Sequence, residues 1–154
     1  MDTIKRQMMT VERLAQHEET ISALYALFSR QFIFHQQFWH ILSLEELVHA
    51  SWIRKLYPQV ADKNVQFDTD RFALSGIEKS LTSIKKYIVR AKRKKISLRK
   101  ALEIALTLED SVIESRFFSI YKTDTKIIRQ LLEALSQAYV EHRERLKKFL
   151  QELA

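Results

Sequence analysis

The chain has no cysteine, one glycine and one proline in 154 residues. Without a thiol there can be no disulfide, thiolate nucleophile, iron–sulfur cluster or cysteine-bound zinc, so any metal must be held by nitrogen and oxygen donors. So little glycine and proline leaves few turn signals for hairpins, which argues against an all-β chain and for long helices. Long apolar runs are also missing. None reaches membrane-spanning length, and Met1 to Gln7 is polar ahead of an amphipathic pattern, so the sequence reads as a soluble, cytoplasmic protein. A hydrophobic share of 46% suffices for one continuous core, and residues 1–154 are expected to form a single all-α domain.

Acid is missing locally. Nine of the 26 basic residues (Lys85, Lys86, Arg90, Lys92, Arg93, Lys94, Lys95, Arg99 and Lys100) fall in 16 positions without an aspartate or glutamate. Elsewhere 17 basic residues meet 19 acidic ones, so the net charge of +7 belongs to one segment and not to the whole fold. The bland explanation is a solvated helix end. Its rival is an acidic partner, an anionic lipid surface or nucleic acid, because Arg99 and Lys100 stand in the first turn of an expected helix, where cations oppose the macrodipole.

Apolar residues recur at helical spacing over about 10–32, 36–57, 76–94, 98–120 and 125–153. The first stripe is Leu14, Ile21, Leu24, Tyr25 and Phe28. The second is Phe38, Leu42, His49, Ile53 and Leu56, stopping at Pro58. Residues 58–74 read as a loop with a short extended piece at Val65 to Phe67, after which Ser75 and Glu78 fit a capping box. Ser97 fits the N-cap of the next helix, with Leu102, Leu106, Ile113 and Phe117 on one side. The last stripe runs from Ile128 through Leu135, Tyr139 and His142 to Phe149. Trp39, Trp52, Phe117 and Phe118 read as core or dimer contacts, and His17, His35 and His40 fall off the stripes and read as surface or loop positions.

Glu18, Glu46 and Glu109 lie inside the apolar stripes, where an ionised carboxylate costs several kcal/mol unless it is paired or bound to a cation. Glu46 and His49, three apart, share one helix face, a spacing that lets a carboxylate and an imidazole reach the same ion. A histidine alone on such a stripe is ordinarily a hydrogen-bonded core residue; it is the company of three in-stripe acids that points to a metal. The pattern also repeats: Glu18 precedes His49 by 31 residues, and Glu109 precedes His142 by 33.

The run Glu18 to Tyr25, the segment Leu42 to His49, the entry Ala101 to Glu109 and the segment His142 to Leu146 together resemble the four helices of rubrerythrin-like proteins of the ferritin-like superfamily. The resemblance spans nearly the whole chain. It implies a four-helix bundle of two antiparallel helix pairs joined by a long crossover, here containing an extra basic amphipathic helix. It also implies a di-iron or iron–manganese carboxylate site, with Glu18 and His49 on one metal, Glu109 and His142 on the other, and Glu46 bridging. Tyr139 stands where the family pattern has a second bridging glutamate. Glu141 does not substitute, because two positions further on is roughly 200° around the helix. Three glutamates leave two divalent ions at +1; a tyrosinate restores neutrality, whereas a phenol weakens one position and leaves single-metal occupancy as the alternative.

The activity so implied is oxidoreductase chemistry: peroxide or dioxygen reduction, or iron oxidation, with Tyr139 as a catalytic donor of a proton or an electron. With no cysteine and hence no rubredoxin-type centre, electrons must come from an external donor, for which the basic segment is the docking candidate; a homodimer is compatible with the aromatic surface. A second class of function is a ferritin-like module that has lost its chemistry and serves as a binding or scaffold protein. A third, resting on the basic run alone, is a binder of nucleic acid or anionic membrane.

Overall fold

The computed structural model describes residues 3–67, 74–110 and 121–153. Among them the chain is almost wholly helical: α1 (Thr3–Gln31), a 3-10 turn (Ile33–His35), α2 (Gln36–Arg54), α3 (Leu56–Ala61), α4 (Leu74–Lys92), α5 (Leu98–Glu109) and α6 (Lys126–Glu152). One two-residue ladder, β1 (Gln66–Phe67) against β2 (Tyr121–Lys122), is antiparallel and contains part of the expected extended piece.

Several boundaries depart from expectation. The first helix begins at Thr3 instead of 10, because Gln7 and Thr10 are buried polar residues that an apolar stripe does not register. Pro58 does not end the second helix. The α2 helix stops at Arg54, and α3 carries Pro58 in its first turn, where the missing N–H has no intrahelical acceptor to lose. Leu56 and Val60 drive this extra turn by burying against the core. Ser75 is not an N-cap, since α4 already includes it. Ser97 is one: its side chain accepts from the Lys100 N–H at 3.1 Å. The α5 helix closes at Glu109, with the Asp110 N–H bonded to the Leu106 carbonyl at 2.9 Å. Positions 111–120 of the expected longer helix, with Ile113, Phe117 and Phe118, lie outside the described residues, as do Asp68 and Asp70 of the expected loop.

Side-chain pairs fix the helix directions. Ser22 and Ser43 exchange hydroxyl-to-carbonyl bonds of 2.8 and 2.9 Å, and small residues there let α1 and α2 pack closely and antiparallel. The α4 helix runs parallel to α1, joined by Arg13–Glu78 at 2.9 Å and His17–Ser80 at 2.7 Å, and Gln31 at the end of α1 bonds the Ile96 carbonyl in the α4–α5 turn at 3.1 Å. The α5 helix returns, bringing Glu109 to Tyr25 of α1. The α6 helix runs antiparallel to α2, with Phe149 on Phe38 at a ring separation of 4.7 Å.

The interior is two apolar clusters with a polar layer between them. One cluster includes Val11, Leu14, Ala50, Ile53, Leu135 and Tyr139; the other includes Ile21, Leu24, Trp39, Leu42, Leu108 and Leu146. On α1, α2 and α6 the break between them falls at the in-stripe ionisable residues: Glu18 on α1, Glu46 and His49 on α2, and His142 on α6. Trp39 is fully buried, as expected of a core aromatic, and Trp52 is half-buried.

Candidate metal centre

Each residue of the layer points inward for the reason its spacing suggested: it occupies a stripe position that the helix must bury. Glu18 and Glu46 are 0% exposed, His142 1%, Glu109 3% and His49 4%, so five ionisable groups share a space that water barely reaches. The five side chains converge. His142 Nδ1 lies 3.0 Å from Glu46 Oε1 and 3.3 Å from Glu109 Oε1, and His49 Nδ1 lies 3.7 Å from Glu46 Oε2. Ligand atoms of Glu46, His49 and His142 all fall within 4.8 Å of one another. This tightest group crosses the expected partition, which assigned the two imidazoles to different ions; their rings are 4.9 Å apart.

Tyr139 is buried, and its hydroxyl donates to Glu18 Oε1. Tyr25, seven residues after Glu18 and so on the same face of α1, donates to Glu109 Oε1 at 3.1 Å. Two phenols therefore anchor two of the three acids. Among the described residues, Glu18 Oε2, Glu109 Oε2 and His49 Nδ1 are buried with no hydrogen-bond partner. Buried unsatisfied acceptors and an imidazole nitrogen are donors that a cation could take up.

The protonation pattern agrees. Burial raises the Glu18 carboxyl well above its usual range, reinforced by the charge of Glu46 and a hydrogen bond with it and opposed by the Tyr139 hydroxyl. Burial lowers His49 to about 4, helped by the nearby His142. For His142 burial acts downward too, but the hydrogen bond and charge of Glu109, with Glu45, overcome it and raise the group.

Three contributors were not singled out from the sequence. Glu45 is only about two-thirds shielded, yet its Oε2 lies 2.5 Å from His142 Nε2, and Arg145 pairs with the same carboxylate. Burial would raise Glu45, but Arg145 and His142 hold it below its usual range. The spacing signal was there: Arg145 follows His142 by three, on one face. His17 is the third. Expected at the surface or in a loop, it is 0% exposed and bonded to Ser80, because α4 covers a second face of α1 that a single stripe does not reveal. His40 is exposed, and His35 packs edge-on against Phe149 at 4.9 Å.

Burial holds His17 at about 4 against a usual 6.5, the Glu109 charge opposing. Its folded-state pKa is depressed, so this imidazole is neutral in the fold and contributes stability above pH 6.5. That contribution is lost as pH falls from 6.5 towards about 4, where only the unfolded chain takes up the proton. Replacing His17→Gln should reduce the loss of metal-free stability between about pH 7 and pH 5 by about 2 kcal/mol. Urea unfolding at the two pH values measures it; an unchanged difference would show that His17 is not the proton acceptor.

Two clefts approach the layer from either side of α6. One of about 220 Å³ is lined by Glu45, Val48, His49, Trp52, His142 and Arg145 among others. The other, of about 390 Å³, is lined by Glu109, Asp110, Ser136, Tyr139, Val140 and Arg143. Both imidazoles and the phenol thus border a cleft. No protein-family model matches the chain, and no match was found among curated proteins or solved structures.

Proposed function

We propose that the chain is a rubrerythrin-like, ferritin-like four-helix bundle, with α1, α2, α5 and α6 as its two antiparallel pairs and α4 as the crossover. Its activity is that of a metal-dependent oxidoreductase acting on peroxide, dioxygen or ferrous iron. The observation that carries the reading is the convergence of three buried carboxylates and two imidazoles from four helices on one layer between two apolar cores. Such a layer is expensive for folding alone and is explained by cation binding.

Nitrogen and carboxylate oxygen donors suit iron or manganese. Glu46, His49 and His142 would hold the first ion, with Glu18 and Glu109 reaching a second. A redox-active ion there supplies the electrons that reduce the oxidant, replenished by an external donor. Glu45, held by Arg145, accepts the Nε2–H of His142 and so keeps Nδ1 turned to the centre as the metal-binding nitrogen. The Tyr139 hydroxyl, bonded to Glu18, is placed to give a proton at the cleft that it borders.

Anaerobic reconstitution with Fe(II) or Mn(II), followed by elemental analysis and a peroxide-consumption assay, tests this. One to two ions per chain with peroxide-dependent absorbance changes are expected. A chain that retains no transition metal would sink the oxidoreductase. The Tyr139–Glu18 bond, which partly satisfies the layer without any ion, favours the scaffold reading as the alternative in that event.

A further inference from the structure

At one end of the molecule the α1–α2 corner, the α4–α5 turn and the C-terminal end of α6 meet. Gln31 bonds the Ile96 carbonyl at 3.1 Å, His35 packs on Phe149, and Arg99 reaches the Leu153 carbonyl at 3.4 Å. Two features coincide there. Ile33 and Phe34, in the 3-10 turn, are 66% and 92% exposed and form an apolar tip. Beside them Arg90, Lys92, Arg93, Lys94, Lys95, Arg99 and Lys100 are all exposed, in a stretch without acid.

Local stability accounts for Arg90 and Lys92, which lie in the last turn of α4, but not for Lys94, Arg99 or Lys100. Lys94 has φ 55°, a left-handed position at the end of α4 where glycine or asparagine is the favoured residue. Arg99 and Lys100 sit in the first turn of α5, at the positive end of its dipole. Cations placed against local preference, around a protruding phenylalanine, fit a surface that is anionic and apolar just beneath.

We propose that this end docks on the anionic face of a lipid bilayer, with Phe34 and Ile33 entering the headgroup boundary and the α4–α5 turn contacting lipid phosphates and carboxylates. The polybasic turn supplies electrostatic attraction and the apolar tip the short-range hold. Nucleic acid would use the cations but give Phe34 no duplex surface to enter. The metal layer plays no part in this contact.

Co-sedimentation of the whole chain with phosphatidylcholine vesicles, with and without phosphatidylserine at about one lipid in three, tests the inference. Binding is expected only to the phosphatidylserine vesicles and should weaken as salt rises. Phe34→Ser should reduce it about tenfold, and Lys92→Gln, Arg93→Gln, Lys94→Gln and Lys95→Gln together should abolish it. Circular dichroism should show both variants folded, as these side chains are exposed. Vesicle binding unaffected by Phe34→Ser would overturn the proposal, as would duplex DNA displacing the protein from vesicles at equal ionic strength with the Phe34→Ser variant binding DNA like the parent.

Discussion

Anaerobic addition of Fe(II) to the metal-free protein is expected to raise its melting temperature by about 8 to 16 °C at a free concentration about a thousandfold above the dissociation constant. Mass action at that excess contributes about 4 kcal/mol per site, and a chain of this size gains about 2 to 4 °C per kcal/mol. The buried charge of Glu46 opposes ionisation of Glu18, and a bound ion removes that opposition. The unfolded chain presents no preformed site to compete. Because burial and the charge of Glu46 raise the Glu18 carboxyl well above its usual range, and a carboxylate binds a cation in its ionised form, metal binding is expected to release protons. Calorimetry in buffers of different ionisation enthalpy detects that release. A melting temperature unmoved by Fe(II), Mn(II) and Co(II) alike, with no proton release, would mean that the layer binds no such ion.

The helices and the layer were legible in the sequence for one reason: a buried helix face is written at 3.6-residue spacing, and an acid inside it stands out. Glu18, Glu46, His49, Glu109, Tyr139 and His142 were all found that way and are all buried. What stayed hidden depends on neighbours and not on period. His17 sits on a face of α1 that only α4 covers, and nothing in the chain marks which helix takes a second partner. Glu45 was passed over because it is about one-third exposed; its importance comes from His142 and Arg145, which lie 97 and 100 residues further along the chain and are invisible to any local pattern. The clustering of His49 with His142, against the expected assignment to separate ions, follows from the α2–α6 crossing and has no counterpart in spacing.

Tyr139→Glu is expected to be the most informative substitution, because it should lower stability without metal and recover most of that loss with metal. Tyr139 packs in the apolar cluster with Leu135 and Leu132, and its hydroxyl is the hydrogen-bond donor to Glu18. Glutamate at this position removes the ring, removes the donor and adds a fourth carboxylate to a layer that already raises Glu18. Without metal the cost should be about 3 to 5 kcal/mol, or a fall of roughly 10 °C in melting temperature. With Fe(II) or Mn(II) the fourth carboxylate neutralises a second divalent ion, so occupancy should rise to two per chain and most of the lost stability should return. Tyr139→Phe separates the causes: it keeps the ring and loses only the phenol, so it should cost about 1 to 3 kcal/mol without raising occupancy. Elemental analysis and thermal melts of the three proteins, side by side, read both quantities. If Tyr139→Glu melts at the same temperature with and without metal and binds no more of it than the parent, Tyr139 does not occupy a bridging position. In that case Tyr139 acts as packing and as the donor that lets Glu18 remain buried.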